Sequence, residues 1–434
     1  MSEFDLLVRG REQDFGVSAG KIVALGQNLA GAATEEIDAQ NLTIFPGVID
    51  AHVHFNEPGR AEWEGFATGS RAAAAGGTTT IFDMPLNAHP PTIDGPSFDE
   101  KRAAAEKNSL VDFGLWGGLV PGNLAHLETL HDRGVVGLKA FMCASGIEDF
   151  PAVDLATLRA GMKRAAELNL LVAVHAETNE SIGASTADGT VRDFLASRPI
   201  EAELSAIRTA LDLAQETGCR LHIVHVSCGR GVALVAEARA QGVNVTCETC
   251  PHYLSLTDDD MVRLGAVAKC APPLRPLNEQ DDLWRQLPEV ATIGSDHSPS
   301  PWSMKEEENF FRVWGGISGC QHLLPLLIDA REKVSLREIA RLTSDGVAER
   351  FRIRGKGGLQ IGKDADLTLV DLKGEETVRA ETLHYRHRHT PYLGRRLRGR
   401  VVRTVLRGQT IFDNGSLGPR PTGRLVRPEA SSSS

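Results

Sequence analysis

The chain has 434 residues, 41% of them hydrophobic, enough for a large core and for more than one domain. A formal net charge of −10 gives no general attraction to nucleic acid or to a membrane surface, so a small-molecule or protein partner is favoured. The N-terminal "MSEFDLLVRGREQ" carries early acids, no stretch offers about 18 uninterrupted apolar residues, and the seven cysteines are odd in number and scattered; a soluble, cytoplasmic, reduced protein is expected.

Residues 1–46 open with short alternating runs, "FDLLVRG" and "KIVALG", that predict antiparallel hairpins. From Thr43 to about residue 300, β-rich apolar runs alternate with longer helical segments. Eight such runs follow one another: "TIFPGVIDAHVHF", "TTTIFDMPL", "VDFGLWGGL", "GLKAFM", "LLVAVHAE", "LHIVHVS", "VNVTCETCP" and "ATIGSDHSP". They fit an α/β fold, a (β/α)₈ TIM barrel over 47–350, with its chemistry at the C-terminal strand ends. A doubly wound open sheet is the competing architecture, but no glycine-rich phosphate fingerprint follows any strand. Residues 351–415 return to short alternating strands, and since neither flank alone makes a stable sheet, the two ends are expected to form one small β-sandwich. The basic stretch from Arg386 to Arg407 reads as an exposed strand face, the histidines of "HYRHRH", His384, His387 and His389, as surface residues, and 416–434 as a flexible tail.

Polar residues interrupt the barrel strands near their C-terminal ends: His52 and His54 on the first, Lys139 on the fourth, His175 on the fifth, His225 on the sixth, Asp296 on the eighth. Positions i and i+2 of a strand face the same way, so His52 and His54 converge. Taken alone they suit either a metal grip or a half-buried strand hydrogen-bonded to backbone. An ammonium inside "GLKAFM" is costly, and Lys139 either snorkels to the strand end or is neutral enough to capture carbon dioxide as a carbamate that bridges two cations. Imidazole and carboxylate together suit zinc, and also cobalt, manganese or iron. Such a metal brings the pKa of a water toward about 7, and Asp296 could receive its proton and hand it to a departing nitrogen.

From "PGVIDAHVH" through "GSDHSP" to "GKDADLTLVD" the sequence resembles the amidohydrolase superfamily, and within it the cyclic amidohydrolases. The resemblance implies that His52 and His54 bind a first metal and His175 and His225 a second. It further implies that an N6-carboxylated Lys139 bridges both, that Asp296 binds the first while acting as base, and that the enzyme is a homo-oligomer, often a tetramer. Among the branches, dihydroorotases usually carry an arginine two residues after the second histidine, where Asn56 stands here. Hydantoinases and dihydropyrimidinases usually place a tyrosine soon after the bridging lysine, where "KAFMCASG" has Ala144 and Ser145. Instead "NEPGRAEWEGFATGSRAAAAGGTTT", "DMPLNAHPPT", "CETCPHYL", "KCAPPLR" and "WGGISG" are similar to the allantoinase branch, which implies opening of the hydantoin ring of allantoin to allantoate.

That substrate is neutral and rich in N–H and C=O groups, so its pocket needs amide-like partners. Asn87, Ser145, Cys270, Pro272, Ser298 and Gly315 are candidate wall positions, although turn geometry and loop capping explain the glycine and serines equally well. Asp50, Asp83 and Glu177 either orient metal-binding imidazoles or make ordinary strand-end hydrogen bonds. The i, i+3 spacing of Cys247 and Cys250 sends them to opposite strand faces, against a thiol function, and His252 and His297 read as loop histidines near the pocket rim.

Overall fold

The computed structural model describes residues 3–185 and 189–429. The strands Val48–Val53, Thr78–Asp83 and Leu171–His175 are buried at every position, as parallel strands covered on both faces must be. Val48–Val53, Thr78–Asp83 and Asp112–Leu115 form one parallel arc. The last of these continues past Trp116 as Gly117–Gly118 into a second arc with Leu138–Phe141, Leu171–His175, Arg220–Ile223, Val245–Thr249 and Thr292–Ile293. The ring closes where Val53 bridges His297, the His54 N–H donates to the His297 carbonyl at 2.7 Å, and the Ser295 N–H donates to the Asp50 carboxylate at 2.9 Å. Eight parallel strands and their helices make the expected TIM barrel.

The N-terminal end of the barrel interior is apolar, filled by Ile49, Ala51, Phe82, Trp116, Leu171 and Phe351, with the Trp116 indole donating to the Ala51 carbonyl at 3.0 Å. Polar side chains are thereby left to the opposite end.

The run from Thr43 is two strands rather than one. Thr43–Pro46 pairs with Leu367–Thr377 outside the barrel, and the chain enters the barrel at Gly47, where a Cβ would come within 2.3 Å of the Thr79 hydroxyl. Outside the barrel, a four-stranded sheet from the N-terminal flank faces a five-stranded sheet built mainly from the C-terminal one. Leu6, Val8, Phe15, Ile22, Leu367, Leu369 and Val405 share their core. One pairing differs from the expected hairpins: Phe4–Gly10 and Ala33–Ala39 run parallel, because the 14–26 hairpin carries the chain back before it pairs again.

Along Arg396–Leu406 the arginines alternate outward and meet acids, Arg396 with Glu375, Arg398 with Asp329 and Glu332, Arg403 with Asp413. The histidine-rich segment before it is not surface decoration. Arg386 and His387 hold the carbonyls of Glu64 and Glu62, and His389, buried, holds that of Ser300, so this strap crosses the loops at the polar end of the barrel.

The expected flexible tail is instead docked as far as residue 429. Val426 donates to the Phe113 carbonyl, Arg424 accepts from the Phe113 N–H, and Glu429 donates to Arg352, satisfying barrel backbone groups beside the 112–118 strand. The terminal serines lie outside the described residues. Among the described residues no helix is long and apolar enough to cross a membrane.

Candidate active site

All six side chains singled out on the barrel strands converge. His52 is the penultimate residue of its strand and His54 follows it; Lys139 lies within Leu138–Phe141; His175 ends its strand. His225 and Asp296 lie just past theirs, both in the left-handed region with φ of 43° and 47°. Such backbone costs about 1–3 kcal/mol at a non-glycine residue and persists only where the surroundings over-determine it.

The donors fall into two groups. His52 Nε2 and His54 Nε2 lie 3.2 and 3.4 Å from Asp296 Oδ1. His175 Nδ1 lies 3.1 Å from His225 Nε2. With metal–ligand bonds of about 2.0–2.1 Å, the edge of a coordination tetrahedron is about 3.3–3.4 Å, so both groups are spaced as ligands of one cation each would be. The His52 and His225 rings, 5.4 Å apart, bring the groups together. Lys139 is fully buried and its Nζ has no hydrogen-bond partner among the described residues, an orphaned amine whose pKa burial pulls down to about 8. The donor set therefore fits divalent cations of the zinc class, with His52, His54 and Asp296 the more complete site.

Burial pulls the His52 imidazole down to about 3 and depresses those of His54, His175 and His225, so all four are neutral and available as donors. Burial pushes the Asp296 carboxyl up, but His52, His54 and His225 outweigh it and hold the group well below the usual carboxylate range. Three further carboxylates matter differently. Glu177 Oε2 meets His175 Nε2 at 2.8 Å and Arg198 at 2.5 Å, fixing the imidazole so that Nδ1 faces His225. Asp50 and Asp83 orient no ring: Asp50 takes the Ser295 N–H, while Asp83 takes the Phe55 N–H and the Lys101 ammonium. Cys143, His175 and Glu177 also lie at ligand spacing, but the glutamate is already shared between His175 and Arg198.

A cavity of about 390 Å³ opens over these groups. His52, His54, Lys139, His175, His225 and Asp296 form its floor, and Asn87, Ser145, Cys270, Ser298 and Gly315 all line it.

The amidohydrolase family pattern matches residues 43–411. The chain belongs to the amidohydrolase family. This amidohydrolase is 57% identical to a protein named allantoinase from Rubrobacter xylanophilus, over 99% of each chain, and 50% identical to one from Solibacter usitatus, over 96% of this chain and 93% of that one. Among solved structures it superposes on an L-hydantoinase (dihydropyrimidinase) from Arthrobacter aurescens with a TM-score of 0.94, 33% identity, and coverage of 98% and 100%.

Two expected wall residues of this amidohydrolase have other employment. Pro272 is buried outside the cavity, its carbonyl accepting from the Tyr253 hydroxyl at 2.7 Å. Ser145 reaches the rim, but its hydroxyl closes its own loop on the Ile147 and Phe150 carbonyls. Cys247 and Cys250 are buried free thiols that burial pushes up, Cys247 to about 12, so neither is a nucleophile. Sequence reasoning missed Glu248, which lies between them in the seventh strand and meets His52 Nδ1 at 2.7 Å. Its signal was the one that exposed Lys139, a charged residue inside an apolar barrel strand.

Proposed function

We propose that this chain is an allantoinase, hydrolysing the ring amide of allantoin to give allantoate. The observation that carries the chemistry is the pair of donor groups facing each other beside the orphaned Lys139 amine, at the floor of one cavity. The substrate is argued from relatives named allantoinase that match almost end to end. The hydantoinase likeness is compatible with a ring-opening site of the same build, at lower identity.

In this reading His52, His54 and Asp296 would hold one divalent cation and His175 and His225 a second, with Lys139, carboxylated on Nζ, supplying a bridging anion; zinc leads, with cobalt, manganese or iron as alternatives. When bound, such cations polarise a carbonyl and lower the pKa of a water to near neutrality. Glu248 and Glu177 keep the His52 and His175 rings aimed at the cavity floor. Asp296 takes the proton released as water adds to the amide carbon, and returns it to the ring nitrogen as the C–N bond breaks. The water oxygen ends in the new carboxylate and both electrons of the broken bond stay on nitrogen. Asn87 and Gly315 line the same cavity and would offer an amide side chain and a peptide to a neutral ring rich in N–H and C=O groups. Cytoplasmic residence and a homotetramer complete the proposal, the latter to be read by light scattering.

Purified protein assayed with allantoin, hydantoin, dihydrouracil and dihydroorotate, alongside metal analysis, tests the reading. Allantoin is expected to turn over fastest, with about two metals per chain. Rapid turnover of dihydrouracil without any of allantoin overturns the substrate.

A further inference from the structure

The cavity wall opposite the metal ligands is the irregular segment 310–316, and two lysines are buried beneath it. Lys269 and Lys305 are 5% and 4% exposed, and neither makes an ion pair among the described residues. Lys269 Nζ donates to the carbonyls of Phe310 at 2.7 Å, Phe311 at 3.1 Å and Val313 at 2.6 Å. Lys305 Nζ donates to those of Ala266 at 3.2 Å, Trp314 at 2.8 Å and Gly316 at 2.9 Å. Each ammonium thus spends all three of its protons on backbone oxygens. Gly316 N–H donates back to the Lys269 carbonyl at 2.7 Å, and the Phe194 and Phe310 rings flank the Lys269 charge at 4.7 and 5.2 Å. An irregular segment of seven residues would ordinarily be mobile, and two buried lysines are an expensive way to hold one: burial pulls both amines down to about 7, and only a full set of three carbonyl acceptors favours keeping each protonated there. The expense points to a shape that must be kept.

We propose that Lys269 and Lys305 are positioning residues that clamp the 310–316 segment as a rigid substrate wall and present the Gly315 peptide to the ring or its ureido arm. Gly315 sits between the pinned Trp314 and Gly316 carbonyls, lines the cavity, and has open space where a Cβ would go. Its neighbour Gly316, at φ 137°, could not carry a Cβ without meeting the Ser298 carbonyl at 2.2 Å. Residues 311–316 all line the cavity, and clamping fixes among them the Gly315 peptide, whose open Cβ side leaves it uncovered. The proposal rests on the allantoin reading for its ligand but not for its mechanics.

Lys269→Met and Lys305→Met, made separately in the full metal-loaded chain, are the test. Each is expected to keep its metal, to exchange the amide hydrogens of 310–316 about 10-fold faster, and to raise KM for allantoin about 10-fold with kcat within about threefold. Gly315→Ala is expected to raise KM with exchange of the segment unchanged. Unaltered exchange in the lysine variants overturns the clamp, whatever the substrate proves to be. If neither methionine variant folds, Gly315→Ala decides, and a KM within about twofold of the parent overturns the wall. Faster exchange together with absent allantoin turnover in the unmutated chain would leave the clamp standing and remove the substrate assignment instead.

Discussion

A buried lysine amine without any hydrogen-bond partner is a costly thing to keep, and Lys139 is kept at the point where two groups of metal donors meet. If its role is to bridge cations through a carbamate, Lys139→Ala should lose metal and activity together and recover part of both when short carboxylic acids fill the gap; no rescue would sink the bridge and leave the histidines untouched. Asp296→Asn should keep metal better than turnover, because an amide coordinates weakly but accepts no proton; equal losses would make Asp296 chiefly a ligand. Glu248→Gln, replacing the carboxyl that holds His52 Nδ1, should cost about 10–100-fold in metal affinity or activity, read by chelator competition and assay. The six converging side chains were legible because histidine, lysine and aspartate break the apolar pattern of barrel strands. His222 shows why the pattern alone misleads: it also sits in the barrel, yet its Nδ1 is spent on the Thr246 hydroxyl at 2.7 Å. Pro272, which lies outside the cavity, and the Ser145 hydroxyl, spent on its own loop at the cavity rim, could not be placed from the sequence, because loop hydrogen bonds depend on tertiary partners and leave no trace in spacing.

At the level of elements, alternation of strand and helix identified the barrel, since fully buried parallel strands read as continuous apolar runs. What it could not supply was where the chain leaves one sheet for another. The single run from Thr43 serves two sheets, and only the close approach of Thr79 at Gly47 marks the change. The docked C-terminal segment was equally hidden, because its hold is largely backbone hydrogen bonding, with only Leu425 and Val426 packing against the core. Gly423 donates to Ser109 at 3.0 Å, Val426 to Phe113 at 2.8 Å and Glu429 to Arg352 at 2.9 Å, and the Phe113 N–H donates to Arg424 at 3.0 Å. At about 0.5–1.5 kcal/mol net for each of these four bonds, and an unfolding entropy of about 2.1 cal/mol/K per residue, removal of residues 419–434 should lower Tm by roughly 2–7 °C while leaving activity at 25 °C intact. An unchanged Tm in a thermal scan would show the segment to be ornamental.

The whole molecule stores its functional site in a state that acid should undo. Burial lowers the imidazoles of His52, His54, His175, His222, His225, His252 and His322, to about 3 for His52 and His322 and about 4 for His252. An unfolded histidine titrates near 6.5. Between that value and the folded one the unfolded chain binds protons that the native chain refuses, so stability is present above about pH 6.5 and is lost as the pH falls below it. Burial also pushes Asp50 up to about 7 and Glu248 up to about 8, and these two act in the opposite sense, favouring the folded form as the pH drops toward 4.5. With His384 and His389 the depressed imidazoles number nine and outnumber the six raised carboxyls, Glu203, Asp345, Asp366 and Glu376 joining Asp50 and Glu248, and each group can contribute up to about 1.4 kcal/mol per pH unit. The metal-free protein should therefore melt progressively lower from pH 7 to pH 5. The metal-loaded protein should fall more steeply, because protons also compete for the imidazole donors and release the cations. Thermal scans of both forms across that range decide the matter: a flat metal-free profile would mean that the buried histidines already hold protons in the native state, and would remove the basis for treating them as neutral donors.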